Sequence, residues 1–432
     1  MSLDRREFLS GVLVSGLAAG APAVHAQNKG KKFRLALIGC GWWGKNILHE
    51  AMDHGQCKVV ALCDVDQRML KQTRNRVRQR GRDAPKQYTD YRELLKREKP
   101  DLVINATPDH WHALTTIAAI EAGAHVYVEK PIGHTIQEGR AMVNAARAND
   151  RVVQVDLHRR ASPHNQWAID FMNQDKLGTV GMVRAFVHSS WGAGNPAEAE
   201  EPPKELDWDF WCGPAPKQPY RSSIHPKGFR QWLDYANGTA ADWGVHWLDH
   251  IIWWSGQKGP SYVSSVGGRF MRETEADAPD TQSIHYTFDG FVAEWEHRLY
   301  AGNSPEKHDL GMYFYGTKGT LHVGWGDGAS FYPVGESKPA IHKKAKLHKP
   351  DRQNIPELWA DFIDAIRNNR RPASDIESGH YSTNLSLLGM LSYKLGRGVK
   401  WDPDRERCVD DPEANALLRR EYREPWQYPE PA

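Results

Sequence analysis

The run Phe33-Arg34-Leu35-Ala36-Leu37-Ile38 leads directly into Gly39-Cys40-Gly41-Trp42-Trp43-Gly44, and a helical stretch follows from Lys45. An apolar segment of strand length, then GxGxxG, then a helix is the order that a dinucleotide-phosphate turn requires. Gly39 permits the tight turn, Gly41 lets backbone approach a pyrophosphate, and Gly44 lets helix and strand pack closely. The helix N-terminus then faces the phosphates, with Trp42 and Trp43 in the same loop.

The next apolar run, 58–63, ends at Asp64, 25 residues after Gly39. A carboxylate there accepts from ribose hydroxyls and repels a 2′-phosphate, so the motif predicts NAD. Asp66 is better placed to cap the helix that follows. Strand-like runs at 101–107, 125–129 and 151–158 alternate with helical stretches at 111–122 and 135–149. That alternation predicts an α/β fold with a doubly wound parallel sheet. Ligands bind beyond the carboxyl ends of such strands, which aims Thr107-Pro108-Asp109-His110 and Glu129-Lys130-Pro131 at the cofactor.

Three stretches taken together carry a resemblance. They are Ala106-Thr107-Pro108-x-x-x-His112, Val128-Glu129-Lys130-Pro131-Ile132 and Asp242-x-x-x-His246. With the glycine turn, they make the chain similar to the glucose–fructose oxidoreductase / inositol dehydrogenase (Gfo/Idh/MocA) family. The resemblance implies a Rossmann domain over 33–157. It also implies an α+β domain over 158–432, built on a large open, mostly antiparallel sheet whose outer face forms a homo-oligomer contact. It implies NAD held by Gly39, Gly41, Trp42, Trp43, Gly44, Asp64, Thr107, Pro108, His112, Glu129 and Lys130. Lys130 would lie beside the nicotinamide and the substrate hydroxyl. His246 would be the general base, and Asp242 would bond a neighbouring hydroxyl or hold His246.

Read without the resemblance, Glu129-Lys130-Pro131 is only a turn leaving a strand. In 237–250, Asp242, His246 and His250 fall at i, i+4 and i+8, on one face of a predicted helix. Such histidines also serve as satisfied core residues. The spacing also suits a zinc site, yet no HExxH or cysteine ligand accompanies it, and no metal is predicted.

Substrate candidates are His158 and Arg159 at the domain junction, and Trp211, Tyr220, His225 and Arg230 in a long loop. Packing is the competing role for each loop residue. Of 17 tryptophans, eight lie within 191–254. They read either as core or as a wall that stacks on a sugar. Helices are expected at 356–368 and 380–395, packed on the domain junction, with the tail 421–431 as an arm onto a neighbouring subunit.

Residues 1–26 resemble a twin-arginine signal: Arg5-Arg6, then an apolar run at 11–23, then Val24-His25-Ala26 before Gln27. The apolar run is too short to cross ~30 Å of hydrocarbon. This predicts a periplasmic or secreted protein that folds, and takes up its cofactor, before export. A nucleotide lost there is not replaced, so the chemistry must restore it within each cycle. Three functions fit: an NAD(H)-dependent oxidoreductase acting on a sugar or polyol hydroxyl with recycled cofactor, a redox-neutral NAD-dependent glycoside hydrolase, or a non-catalytic NAD-binding sensor. Lys plus Arg minus Asp plus Glu is 56 − 54 = +2, which gives no reason to expect nucleic acid or a membrane surface as partner. The partner expected is a small carbohydrate. Five cysteines without CxxC spacing read as buried thiols.

Overall fold

The computed structural model describes residues 32–431, apart from 82, 191–195, 272–273, 304–305 and 349–351. The twin-arginine stretch and Trp191 lie outside the described residues. Six short parallel strands form the first sheet: β1 (Phe33–Ile38), β2 (Cys57–Cys63), β3 (Lys86–Tyr88), β4 (Leu102–Asn105), β5 (His125–Val128) and β6 (Val153–Val155). Their order is β3-β2-β1-β4-β5-β6, the doubly wound arrangement in which the strand order reverses beside β1. Crossover helices cover both faces: α1 (Trp42–Asp53), α2 (Gln67–Gly81), α3 (Tyr91–Glu98), α4 (His112–Glu121) and α5 (Ile136–Ala148). Central strands buried on both faces are nearly all apolar, as Leu35-Ala36-Leu37-Ile38 and Leu102-Val103-Ile104 illustrate. β3 is short and half exposed, and it has no apolar run to announce it.

A helix, α6 (Pro163–Asn173), leads into a ten-stranded second sheet. Its strands are β7 (Val180–His188), β8 (Tyr262–Gly268), β9 (Thr281–Phe288), β10 (Phe291–Arg298), β11 (Leu310–Gly316), β12 (Gly319–Val323), β13 (Ala329–Pro333), β14 (Ile341–Lys343), β15 (Val399–Asp402) and β16 (Arg407–Cys408). The order is β14-β13-β12-β11-β7-β10-β9-β8-β15-β16, antiparallel except for the β7–β10 pair. Residues alternate cleanly between faces: in β10, Phe291, Ala293, Trp295 and His297 point inward.

Between β7 and β8 lies a long loop carrying α7 (Trp208–Cys212), followed by a π-helical turn at Ala240–Gly244 that continues as α8 (Val245–Ser255). Late in the chain come α9 (Ile355–Arg367) and α10 (Ile376–Leu395). Through Leu358, Trp359, Phe362 and Ile363, α9 joins the core of the first sheet, where Trp359 packs on Tyr127. In turn, α10 packs on α5 and α8 and under β8. The tail lies on this chain's own surface: Arg423 donates to the carbonyl of Gly213, and Trp426 stacks on Phe210 and meets Trp111 edge-on.

Candidate active site

The glycine turn forms as its residues require. Gly39 has φ +92°, and a Cβ there would lie 2.3 Å from the Ala106 carbonyl oxygen. A Cβ on Gly44 would lie 2.1 Å from the Gly39 carbonyl oxygen, so helix and strand meet with no room for a side chain. At Gly41 a Cβ would touch nothing within 4 Å: that side of the backbone faces open space. No side chain caps the first turn of α1, so its free amides face the same space. Asp64 closes the far side, its carboxylate accepting from the Cys40 amide at 2.7 Å and the Asp66 amide at 2.8 Å. Burial pushes this carboxyl up to about 6 against those two bonds. Asp66 turns away and pairs with Arg68 through its side chain and amide, fixing the start of α2.

Gly39, Gly41 and Asp64 line a cavity of about 280 Å³, together with Trp42, Trp43, Thr107, Pro108, His112, Glu129 and Lys130; Gly44 lies behind it, in the helix–strand contact. His112 spans two turns, with Nε2 2.8 Å from the Thr107 carbonyl oxygen and Nδ1 2.7 Å from that of Pro131. Burial lowers it to about 4 and keeps it neutral at pH 7. The open Gly41 face, the uncapped helix start and the ribose-side carboxylate fit a dinucleotide.

A second, larger cavity of about 750 Å³ lies alongside, lined by Asp242, Trp243, His246 and Trp325 among others. Trp42, Trp43, Glu129, Lys130, Lys227 and Arg230 line both cavities. At this meeting point Lys130 Nζ donates to the Asp242 carboxylate at 2.8 Å and to the Asp242 carbonyl at 2.6 Å. Arg230 Nε donates to the same carboxylate oxygen at 3.2 Å. Burial raises the Asp242 carboxyl, but the Lys130 and Arg230 charges outweigh it and hold Asp242 below its ordinary value. Asp242 thus fixes Lys130 and makes no hydrogen bond to His246.

His246 stands on the second cavity's wall, its ring 5.4 Å from Trp325 and perpendicular to it, with a buried and unpartnered Nδ1. Burial first, then Lys130, His158, Arg159 and His250, push it well below its usual value, so the imidazole is neutral. Of the three residues expected on one face, His250 does not reach the site. Asp242 and His246 do share the second cavity, whereas His250, one turn farther along α8, does not line it. His250 is fully buried, its Nδ1 3.1 Å from the His246 carbonyl. Among the described residues no group of three His, Cys, Asp or Glu is arranged to hold a metal ion.

The substrate candidates divide. Arg230 reaches both cavities, whereas Trp211 and His225 face the dinucleotide cavity alone. Tyr220 lines neither; it is buried edge-on against Trp208. His158 sits behind His246, ring centroids 5.3 Å apart. Arg159 is buried and lines neither cavity, donating to the Gly324 carbonyl at 3.0 Å and lying 4.1 Å over the Trp247 ring. Arg160 is likewise interior, in a bidentate pair with Asp249.

Most of the loop tryptophans pack: Trp208, Trp211 and Trp232 form a small core with Tyr220, Phe229 and Tyr235. The loop holding them is a strap over the dinucleotide cavity. Gln67 donates to the Glu205 carbonyl at 3.0 Å and Asp207 donates to the Val65 carbonyl at 3.1 Å, clasping the strap to the end of β2. Arg423 and Trp426 of the tail pin it from outside.

Trp325 and Asp156 also line the second cavity, and no motif points to either. Trp325 sits in the turn between β12 and β13, far along the chain from every motif. Asp156 follows β6 as Glu129 follows β5, a parallel that strand-end reasoning can reach.

Comparison with known proteins places this geometry. Residues 33–157 match the oxidoreductase-family NAD-binding Rossmann model, and residues 178–428 match its C-terminal alpha/beta domain model. The chain belongs to the Gfo/Idh/MocA oxidoreductase family. Its first domain is therefore an NAD-binding Rossmann domain. Among curated Gfo/Idh/MocA-like relatives, a glycosyl hydrolase family 109 protein of Stenotrophomonas maltophilia is 36% identical over 143 residues, 32% of each chain. The alignment thus spans about a third of that relative's length. Among solved structures, levoglucosan dehydrogenase in complex with NADH and levoglucosan superposes with a TM-score of 0.66 at 19% identity, covering 86% of this chain and 99% of that one. An aldose-aldose oxidoreductase from Caulobacter crescentus, complexed with glycerol, gives 0.65 at 19% identity, covering 86% and 100%. At these identities the two structures share the fold.

Proposed function

We propose that this chain oxidises a hydroxyl-bearing carbon of a sugar or related polyol, using NAD that it retains and restores within each cycle. The observation that carries this reading is the Lys130–Asp242 pair where the two cavities meet, with neutral His246 on the wall of the larger one. Bound NAD supplies the hydride acceptor. Lys130, fixed by Asp242, donates a hydrogen bond to the substrate oxygen, and Arg230 orients the same carboxylate. His246 takes the hydroxyl proton as the C–H bond breaks; neutral imidazole is the form that accepts. Trp243 and Trp325 offer apolar ring faces to a sugar's C–H face.

Retention is supported by the strap, which closes one side of the dinucleotide cavity with Phe210, Trp211, His225 and Phe229. It suits export in folded form through a twin-arginine signal at 1–26. A second reading is that the net reaction is hydrolysis of a glycoside, with oxidation and re-reduction inside one cycle. The family 109 relatives favour it.

The test uses purified chain with no added cofactor. Its bound nucleotide is identified by mass spectrometry, and nicotinamide absorbance is followed as sugars and chromogenic glycosides are added. One equivalent of reduction that resumes on adding a second sugar or ketone supports the oxidoreductase. Many turnovers of aglycone release without lasting reduction support the hydrolase. Lys130→Met should lower either rate by about 10²-fold or more. Full activity in that variant overturns both readings.

A further inference from the structure

Glu129 and Asp156 stand at the carboxyl ends of adjacent parallel strands. Val128 of β5 pairs with Val155 of β6, and the next residue on each strand is the acid. The register is continued by the Asp156 amide, which donates to the Val128 carbonyl at 2.9 Å. The two side chains therefore leave the sheet side by side, and one indole N–H reaches both. Trp43 Nε1 donates to Asp156 Oδ2 at 2.9 Å and closely to Glu129 Oε1. The other donors are Tyr127 Oη, 2.8 Å from Asp156 Oδ1, and the Lys130 amide, 3.2 Å from Glu129 Oε2.

Glu129 is 7% exposed and Asp156 is 1% exposed. Among the described residues neither is in an ion pair, since the nearest cation, Lys130, gives its Nζ to Asp242. Two adjacent carboxylates in so dry a place cannot both stay ionised. Burial and the Asp156 charge raise Glu129 well above the ordinary carboxylate range, against the opposing pull of Lys130 and the Trp43 bond. Both acids also line the larger cavity, on the same wall system as Lys130 and His246.

We propose that Glu129 and Asp156 hold one proton between them and act as a second acid–base unit, which protonates the leaving oxygen of a glycoside. This rests on the hydrolytic reading of the site. Oxidation of a hydroxyl occupies Lys130, Asp242 and His246 and leaves the shared proton unused. A carboxylic acid kept neutral at pH 7 suits donation to a basic oxygen.

The substrate is a sugar already oxidised to a ketone two carbons from the anomeric carbon, and His246 has released the hydroxyl proton to the open cavity. His246 then takes the proton from the carbon between them. That electron pair forms a carbon–carbon double bond, the anomeric C–O bond breaks, and the departing oxygen takes the shared proton. The aglycone leaves as an alcohol, and the pair is doubly ionised only until the hydration step returns its proton. Water then adds: its hydroxide forms the new anomeric C–O bond, its proton returns to the pair, and His246 returns its proton to carbon.

The experiment compares wild type, Glu129→Gln and Asp156→Asn, each checked for fold by thermal melting. The substrates are 4-nitrophenyl and methyl glycosides of glucose, galactose and their N-acetylamino forms. A nitrophenolate departs unaided and a methoxide does not. The variants should therefore lose about 10²-fold or more on methyl glycosides and about tenfold or less on nitrophenyl ones, relative to wild type. Equal losses on both overturn the acid role.

Infrared spectroscopy at neutral pH supplies the readout that does not depend on turnover. A protonated-carboxyl component that wild type has and Glu129→Gln lacks is expected, and the absence of that difference overturns the shared proton. If wild type reduces its nicotinamide with free sugars but cleaves no glycoside, the leaving-oxygen role falls. The infrared result still decides the shared proton. If it neither reduces nor cleaves, the underlying reading fails as well.

Discussion

Asp64 and Asp242 are both half-buried carboxyls, and their surroundings drive them in opposite directions. Asp242 faces two cations and stays ionised, whereas Asp64 has only two backbone amides and is pushed up to about 6. Ionised Asp64 is the stronger acceptor for ribose hydroxyls. A proton taken up as pH falls through about 6 weakens that bond, so NAD retention should be full above this value and decline below it. Nucleotide content after gel filtration at pH 7.5 and pH 5 measures this; equal content overturns it. Asp64→Ala should weaken NAD binding by about 10- to 100-fold, the value of a hydrogen bond to a charged group, and ease the discrimination against NADP. Both acids were legible from motif and spacing. The partners of Asp242 were not, because Lys130 lies 112 residues away and nothing local records the pairing.

At the scale of elements, the π turn and the strap decide what faces the substrate. Helical spacing alone put Asp242, His246 and His250 on one face. Asp242 and His246 face the cavity, while His250, one turn deeper along α8, is fully buried in the core. The strap's aromatics read equally as core or as a pocket wall, since an indole suits both. Packing claims Trp208, Trp211 and Trp232 because the strap carries too few aliphatic residues to make a core without them. The tail holds this strap through Arg423 and Trp426. Arg423→Ala combined with Trp426→Ala should speed NAD release by about tenfold or more, since each removed contact is worth about 1 kcal/mol. Stopped-flow transfer of NADH to a scavenging dehydrogenase measures the rate, and an unchanged rate means the tail is not the pin.

Across the whole molecule, the second sheet has one covered face and one open face. On the open face Met182, Val292, Thr287 and Tyr262 form a row across four neighbouring strands, and three of the four are exposed apolar side chains. A row of this kind is expected to pair with a second copy. Val292→Arg should shift the chain to monomer in size-exclusion chromatography with light scattering, with unchanged far-ultraviolet circular dichroism. A monomeric wild type at micromolar concentration rules the interface out.

The sequence by itself determined the parallel sheet, the glycine turn, Asp64 at the end of β2 and Lys130 at a strand end. Each of these depends on neighbours within a few residues, or on the fixed rule that parallel strands present their carboxyl ends to a ligand. Only the tertiary structure decided that Lys130 belongs to Asp242, that Trp325 faces His246, that the tail clamps the strap and that Glu129 meets Asp156. Those are contacts between segments far apart in the chain. Side-chain type limits such contacts, but the packing of one element on another selects them.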